Sequence, residues 1–151
     1  MQARGYRWDS AEHNESHGYL LPVLCDILAT TKVVGERRCF DLGCGNGSVA
    51  AAVAQRGWKV TAVDPSDDGI LRGRAAYPKL DLHQAEATPE LAERFGTFPV
   101  VYSLEVVEHV YAPRVFAATL AALTAPGGIA IVSTPYHGYL KNLAMALTGK
   151  L

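Results

Sequence analysis

A short apolar stretch that runs directly into alternating glycines constrains this chain more than any other feature. The stretch is Cys39-Phe40-Asp41-Leu42, and Gly43, Gly45 and Gly47 follow it before an alanine-rich segment. Glycine lets the backbone turn sharply and approach a ligand closely because it has no Cβ. A helix that begins after such a loop exposes free N–H groups in its first turn. The pattern predicts a strand, a ligand loop and a helix, although a tight turn alone would also favour glycine.

An acidic residue further along the chain supports the ligand-loop interpretation. The next predicted strand, Trp58 to Val63, ends in Asp64-Pro65, at the ~20-residue spacing from the glycines at which a carboxylate binds both hydroxyls of a ribose. A nicotinamide or flavin site requires G-x-G-x-x-G, whereas this loop reads G-x-G-x-G and follows Asp41. The glycine spacing therefore disfavours a nicotinamide-dependent oxidoreductase, which we keep as an alternative.

At these residues the chain resembles the class I S-adenosylmethionine-dependent methyltransferases, whose first motif is hydrophobic-Asp-hydrophobic-Gly-x-Gly-x-Gly. The resemblance implies that the glycine loop contacts the methionine part of the cofactor and that Asp64 binds its ribose. It also implies that Glu86-Ala87 lies at the adenine and that Ser103-Leu104-Glu105 lines the methyl-transfer cleft. The cofactor contacts implied in this way are Asp41, Gly43, Cys44, Gly45, Asn46, Gly47, Asp64, Pro65, Ser66, Glu86, Ala87, Leu104 and Glu105.

Strand and helix patterns alternate along the chain. Apolar residues at helical spacing predict a first helix over about His17 to Thr30, and a second helix that ends at Gly57. Ser66 is a predicted helix cap, and Thr88 with Pro89 predicts the start of a short helix. Strands are predicted over residues 39–42, 58–63, 80–85, 98–104 and 129–134, with a turn at Pro126-Gly127-Gly128 before the last. The alternation predicts an α/β fold with a doubly wound, mostly parallel Rossmann-like sheet of strand order 3-2-1-4-5 and helices on both faces.

The chain predicts a single domain over residues 1–151, with a core over 17–151. The aromatic and polar segment 1–16 is interpreted as a lid over the cofactor or as a frayed terminus. Class I methyltransferases usually continue with two further strands, so the resemblance implies a C-terminally incomplete domain. Either a longer protein or a partner, such as a second copy, would then complete the exposed edge of the fifth strand. Pro99 stands where relatives commonly carry Asp, and we expect only a local structural effect.

An acidic and imidazole-rich segment follows the fourth predicted strand. In a helical turn Glu105, Glu108 and His109 would fall at i, i+3 and i+4 and share one face, and His137 after the next strand would reach the same cleft. Two carboxylates and two imidazoles predict a Mg²⁺, Mn²⁺ or Zn²⁺ site. Alternatively, His109 or Glu105 acts as a general base in a cleft without metal.

The acidic and imidazole-rich pattern resembles the O-methyltransferases of ubiquinone biosynthesis. It also resembles the small-RNA 2′-O-methyltransferases, which hold a metal through Glu-x-x-Glu-His and a later His. Acids and bases nearly cancel, leaving a formal net charge of −1. No overall field would therefore recruit nucleic acid, which disfavours the RNA interpretation.

The resemblance implies transfer of a methyl group to a hydroxyl oxygen of a small phenolic or quinone-precursor substrate, with S-adenosylhomocysteine as product. The alternative from a different class is a cofactor-binding module without independent catalysis. Three cysteines without a C-x-x-C pair and a first segment without an apolar core predict a cytoplasmic protein. An apolar stripe over residues 139–147 predicts at most a weak contact with a membrane surface.

Overall fold

Helices and strands alternate in the computed structural model, which describes residues 17–136 and 145–148. The elements are α1 His17–Thr30, β1 Arg38–Leu42, α2 Ser48–Ala54, β2 Lys59–Asp64, α3 Asp67–Ala76, β3 Asp81–Gln84, α4 Leu91–Phe95, β4 Phe98–Leu104, a 3-10 turn Val107–His109, α5 Pro113–Leu123 and β5 Thr124–Ser133. The bounds predicted for the first helix and for the fourth strand are confirmed. The predicted lid over residues 1–16 and the predicted metal ligand His137 lie outside the described residues.

The five strands form one sheet in the order β3-β2-β1-β4-β5. Every neighbouring pair is parallel. This confirms the predicted doubly wound topology. The chain proceeds outward from β1 to β3 and then returns to β4 on the other side of β1. The carboxyl ends of β1 and β4 therefore flank the point where the strand order reverses, which is where open α/β sheets bind ligands.

Apolar residues cover both faces of the sheet, as the sequence predicts. On one face α1, α2 and α3 pack over a cluster that includes Leu24, Val53 and Ile70. On the other face α5 packs over a second cluster through Phe116 and Leu123. Because side chains alternate along a strand, the central strands are buried along nearly their whole length.

Most other boundaries differ from the sequence prediction by one to three residues. Two differences matter for the local structure, and the first is the start of the fourth helix. Thr88 and Pro89 accept backbone hydrogen bonds from Leu91 (3.1 Å) and Ala92 (3.0 Å), each three residues later. This spacing makes a tight turn, and α4 begins only at Leu91. Thr88 is therefore not the helix cap that the sequence predicts.

The second difference lies at the start of β5. The sequence predicts a turn at Pro126-Gly127-Gly128, but β5 already begins at Thr124 and includes these residues. The register between β4 and β5 shifts between Phe98 and Val100. Pro99, which has no N–H to donate, lies at this shift. Residues 125–128 lie opposite Pro99 alone, so the chain loops out at the predicted turn even though β5 begins earlier, and regular pairing resumes at Ile129, as predicted. A Cβ at Gly128 would lie 2.8 Å from the Pro99 carbonyl oxygen.

Gly73 in α3 packs directly on the glycine loop, and this contact generates a stability prediction. A Cβ at Gly73 would lie 2.7 Å from the Asn46 carbonyl oxygen and 2.8 Å from a Leu82 methyl. We expect Gly73→Ala to lower the free energy of unfolding by ~1–3 kcal/mol, because the loop or the helix must shift. Urea denaturation measures the change.

Gly18→Ala in α1 is the matched control, since a Cβ there meets nothing within 4 Å. We expect it to leave stability unchanged or to raise it by ~0.5–1 kcal/mol through helix propensity. Equal effects of the two substitutions would contradict the packing that the structure shows.

Candidate functional site

The glycine loop after β1 has the backbone conformation that its sequence predicts. Gly43, Gly45 and Gly47 have φ angles of 91°, 54° and 76°, in the left-handed region that favours glycine. A Cβ at Gly43 would also lie 2.5 Å from a methyl of Val106. The loop is anchored to β2, because the backbone N–H groups of Gly43 and Cys44 both donate to the Val63 carbonyl, at 2.8 and 3.0 Å.

Asp64, the predicted ribose ligand, connects the glycine loop to the segment after β2. One carboxylate oxygen accepts a hydrogen bond from Gly45 N (2.8 Å), and the other accepts one from Ser66 N (2.8 Å). Burial raises the pKa of Asp64, and these two N–H donors partly offset the rise. Each carboxylate oxygen can accept a second hydrogen bond. The side chain therefore has the acceptors that binding a ribose diol requires.

The other predicted loop contacts mainly shape the loop itself. The Asn46 side-chain oxygen accepts from Ser48 N (3.1 Å) at the start of α2. Burial raises the pKa of the Cys44 thiol. A protonated thiol is a weak nucleophile, so the chemistry disfavours a reactive Cys44. Cys44 instead acts as a small residue within the loop.

The segments that follow β2 and β3 lie side by side at the same edge of the sheet. Ser66 caps α3, as predicted, because its Oγ accepts from Gly69 N (3.1 Å). Ala85 N donates to the Asp64 carbonyl (3.1 Å). This bond places Glu86-Ala87, the predicted adenine contacts, next to the Asp64-Pro65 segment. The predicted ribose and adenine positions are therefore neighbours.

Asp41 is buried within the sheet beneath the glycine loop, and only 3% of it is exposed. Among the described residues, its Oδ2 atom has no hydrogen-bond partner, and neither has the hydroxyl of Tyr102, its register partner on β4. Burial is the main cause that raises the pKa of Asp41 from 3.8 to about 8. The nearby Tyr102 hydroxyl lowers this pKa, although it is not at hydrogen-bond geometry, and the charge of Asp64 raises it.

The raised pKa of Asp41 makes the stability of the fold depend on pH in a defined direction. Between pH 3.8 and about pH 8 the Asp41 carboxyl group is protonated to a greater extent in the folded state than in the unfolded chain. The contribution of Asp41 to stability therefore falls as the pH rises through that range. A fold that retains such a group must derive a benefit from it elsewhere.

Glu105, at the end of β4, has a strained backbone. Its φ is 56°, which makes it the one non-glycine residue with positive φ among those the structure describes. Ser133 of β5 holds it in place: Glu105 N donates to the Ser133 carbonyl (3.2 Å) and hydroxyl (3.1 Å), and Ser133 Oγ donates to Glu105 Oε1 (2.8 Å). The sequence contains no signal for this contact, because the two residues meet only through the pairing of β4 with β5.

The structure corrects the premise of the predicted metal site. Glu105 precedes the 3-10 turn Val107–His109 and does not share a helical face with Glu108 and His109. His109 Nε2 lies 3.9 Å from Glu108 Oε1, and 77% of the His109 side chain is exposed. Within residues 17–136 and 145–148, no three His, Cys, Asp or Glu side chains are grouped as metal ligands. The described residues therefore do not fit a metal ion, and the prediction depends on His137, which lies outside them.

The fold and the loop geometry together define a Rossmann-like domain whose glycine loop lies at the switch point of its sheet. The chain belongs to the family described as a methyltransferase domain, which matches residues 15–149. In the part of the chain that the structure describes, no helix is long and apolar enough to cross a membrane.

Two relatives show the range of sequence similarity. The chain is 45% identical over 116 residues to the ubiquinone biosynthesis O-methyltransferase of Caulobacter sp. strain K31, an alignment that covers 74% of this chain and 46% of that protein. It is 30% identical over 131 residues to the protein of the same name from Aromatoleum aromaticum, covering 84% of this chain and 56% of that protein. The chain thus spans about half the length of the curated relatives it matches.

Solved structures share the fold at lower identity. A protein of Pyrococcus horikoshii OT3 is 20% identical, with a TM-score of 0.68 over 94% of this chain and 62% of that one. Coclaurine N-methyltransferase, solved with N-methylheliamine and SAH, is 20% identical, with a TM-score of 0.60 over 84% of this chain and 38% of that one. At these identities the likeness shows the fold alone.

The positive φ of Glu105 generates a prediction about relative stability. We expect Glu105→Gly to be more stable than Glu105→Ala by ~1 kcal/mol, because only glycine adopts this conformation without strain. Both variants lose the side-chain hydrogen bond from Ser133 Oγ and keep the Glu105 N–H donor, so the comparison isolates the backbone conformation. Chemical denaturation of the two variants measures the difference.

The same pair of substitutions at Glu93, an exposed helical residue of α4, is the control. There we expect the opposite order, with alanine more stable than glycine by ~1 kcal/mol. The same order at both positions would show that Glu105 is not strained.

Proposed function

We propose that this chain forms the cofactor-binding part of an S-adenosylmethionine-dependent methyltransferase. The observation that carries the proposal is electrostatic. Asp41 and Asp64, both mostly buried, lie at the glycine loop, and no ion pair among the described residues includes either carboxyl group. Buried carboxyl groups favour a cationic partner. S-adenosylmethionine brings a sulfonium and an ammonium, whereas NAD is disfavoured by the G-x-G-x-G spacing of the loop.

We further propose that the acceptor is a hydroxyl oxygen of a small phenolic or quinone-precursor molecule. The support is the 45% identity to a protein named ubiquinone biosynthesis O-methyltransferase. A structural neighbour of the same fold is an N-methyltransferase. Because enzymes of one fold act on many different substrates, the fold does not indicate which atom accepts the methyl group. The proposal of an oxygen acceptor therefore rests on sequence similarity to part of the relative.

The cofactor supplies an electrophilic methyl group, and this chain's residues bind and align the two reactants. Alignment of this kind contributes up to ~7–11 kcal/mol to lowering a barrier. We assign His109 as the general base that takes the proton of the acceptor hydroxyl, because its imidazole is exposed and accessible to a substrate. Glu105 is the second candidate base. Its Oε1 atom accepts one hydrogen bond from Ser133 Oγ, and the carboxylate keeps further acceptor capacity.

Three statements about partners and location stay predictions. In the described residues β5 pairs with β4 on one side only, so its other edge offers unpaired backbone groups. This supports a homodimer through that edge or further strands of a longer protein. A weak contact with a membrane surface and a cytoplasmic location rest on the sequence alone.

Binding to the cofactor tests the proposal through Asp64. We expect micromolar binding of S-adenosylmethionine and S-adenosylhomocysteine by calorimetry. Asp64→Asn should weaken the binding of both compounds by about tenfold or more, equivalent to ~1.4 kcal/mol. The reason is that the single amide oxygen cannot accept hydrogen bonds from two ribose hydroxyls and two backbone N–H groups at once. Asp68→Asn is the control, since Asp68 is a partly exposed carboxylate of α3 that pairs with Arg72.

A parallel titration with NAD separates the alternatives. Tight NAD binding with no binding of S-adenosylmethionine would indicate the oxidoreductase. Equal affinities of Asp64→Asn and Asp68→Asn would contradict the role of Asp64. Cofactor binding without turnover of any phenol would favour the non-catalytic binding module.

Turnover tests the assignment of His109. With 3,4-dihydroxybenzoate as acceptor, we expect His109→Gln to lower kcat by ~10²–10⁴-fold, the usual contribution of a general base, and to leave the Kd of S-adenosylhomocysteine unchanged. His83→Gln is the control, because His83 lies on β3 and pairs with Asp81. Unchanged kcat in His109→Gln would refute the assignment. Loss of turnover with EDTA and its recovery with Mg²⁺ would support the predicted metal.

A further inference from the structure

Asp41 is surrounded by groups that are neutral or negative. Cys39 lies on its own strand, Cys44 in the glycine loop, Asp64 at the end of β2 and Tyr102 on β4. Both cysteines and Tyr102 are buried, and burial raises the pKa of all three, so they stay uncharged near neutral pH. No cationic side chain interacts with Asp41 among the described residues. The cluster therefore lacks a positive charge that would balance an ionised Asp41.

Two polar atoms at the centre of this cluster have no hydrogen-bond partner in the part of the chain that the structure describes. They are Oδ2 of Asp41 and the hydroxyl of Tyr102, which are 3% and 0% exposed by residue. Strand pairing fixes them next to each other, because Asp41 and Tyr102 are register partners. A buried unpaired polar atom costs ~1–3 kcal/mol. Two such atoms side by side, beneath a ligand loop, indicate an arrangement that is completed only in another state of the site.

We propose that Asp41 and Tyr102 form a proton-linked binding element, in which a positively charged cofactor displaces the proton that Asp41 holds in the free protein. The O–H bond of the Asp41 carboxyl group breaks, the proton passes to solvent, and the electron pair stays on the carboxylate. The Tyr102 hydroxyl then donates its hydrogen to the ionised Oδ2 atom. This inference rests on the proposed function, since it requires that the ligand be cationic.

The protonation of Asp41 in the free protein agrees with the absence of a hydrogen-bond partner at its Oδ2 atom among the described residues. The pKa of Asp41 in the free protein is about 8, so the carboxyl group is mostly protonated at neutral pH. A cation nearby favours the ionised form and lowers the pKa. Tyr102 favours the ionised form as well, whereas Asp64 opposes it. Binding near pH 6.5 should therefore release about one proton, and the release should fall toward zero above the pKa of the free protein.

Calorimetry with S-adenosylmethionine measures this release. Titrations at pH 6.5 in phosphate and in a buffer of high ionisation enthalpy give the number of protons from the difference in heat. We expect about one proton for the unchanged chain and for the control Asp68→Asn, and none for Asp41→Asn, which has no carboxyl proton to lose. Tyr102→Phe should release fewer protons and bind more weakly, because the ionised carboxylate loses its donor.

A carbon-13 NMR titration of the aspartate carboxyl groups gives a second measurement that needs no variant. We expect one buried aspartate to titrate near pH 8 in the free chain and to titrate well below that value with S-adenosylmethionine bound. Binding without proton release, or an Asp41 resonance that titrates identically in both states, would overturn this inference alone. No binding of S-adenosylmethionine would overturn the proposed function and this inference with it.

Discussion

The Asp64 carboxylate holds two loops together at the edge of the sheet where the site lies. It accepts a hydrogen bond from Gly45 in the glycine loop and another from Ser66 at the start of α3. The Val63 carbonyl, one residue earlier, accepts two more from Gly43 and Cys44. Hydrogen bonds from backbone N–H groups to a carboxylate are stronger than hydrogen bonds between neutral groups. The Asp64 carboxylate therefore fixes the position of the glycine loop.

Two acidic side chains at the glycine loop lose solvation when they are buried. Burial raises the pKa of both Asp41 and Asp64. A cation close to these carboxyl groups would offset this cost, and an anion would add to it.

β4 and β5 lie on the other side of β1 from Asp64 and β2. The hydroxyl of Ser103 donates to the Leu42 carbonyl at 2.5 Å and ties β4 to β1. Ser133 holds Glu105 in a conformation that non-glycine residues rarely adopt. Strain of this kind costs ~1–3 kcal/mol and persists where the surroundings fix it. Hydrogen bonds to β5 therefore fix the end of β4, while His109 beyond it is exposed.

Short-range backbone preferences control the features that could be predicted from the residues alone. The glycine loop, the Ser66 cap, the bounds of α1 and β4 and the alternation of strands with helices were all predicted, because each depends on a few adjacent residues. The helix start at Thr88 was predicted wrongly. A Thr-Pro pair is compatible with a tight turn as well as with a helix start, and here a tight turn precedes α4.

The contacts between residues that are distant in sequence depend on how the strands pair. Tyr102 lies beside Asp41 because β1 and β4 pair in one register, and Ser133 reaches Glu105 because β5 pairs with β4. The positive φ of Glu105 in turn separates it from Glu108 and His109, which a helical pattern would have brought together. Register and backbone conformation at strand ends are set by long-range hydrogen bonds and packing. No local pattern of residues encodes them.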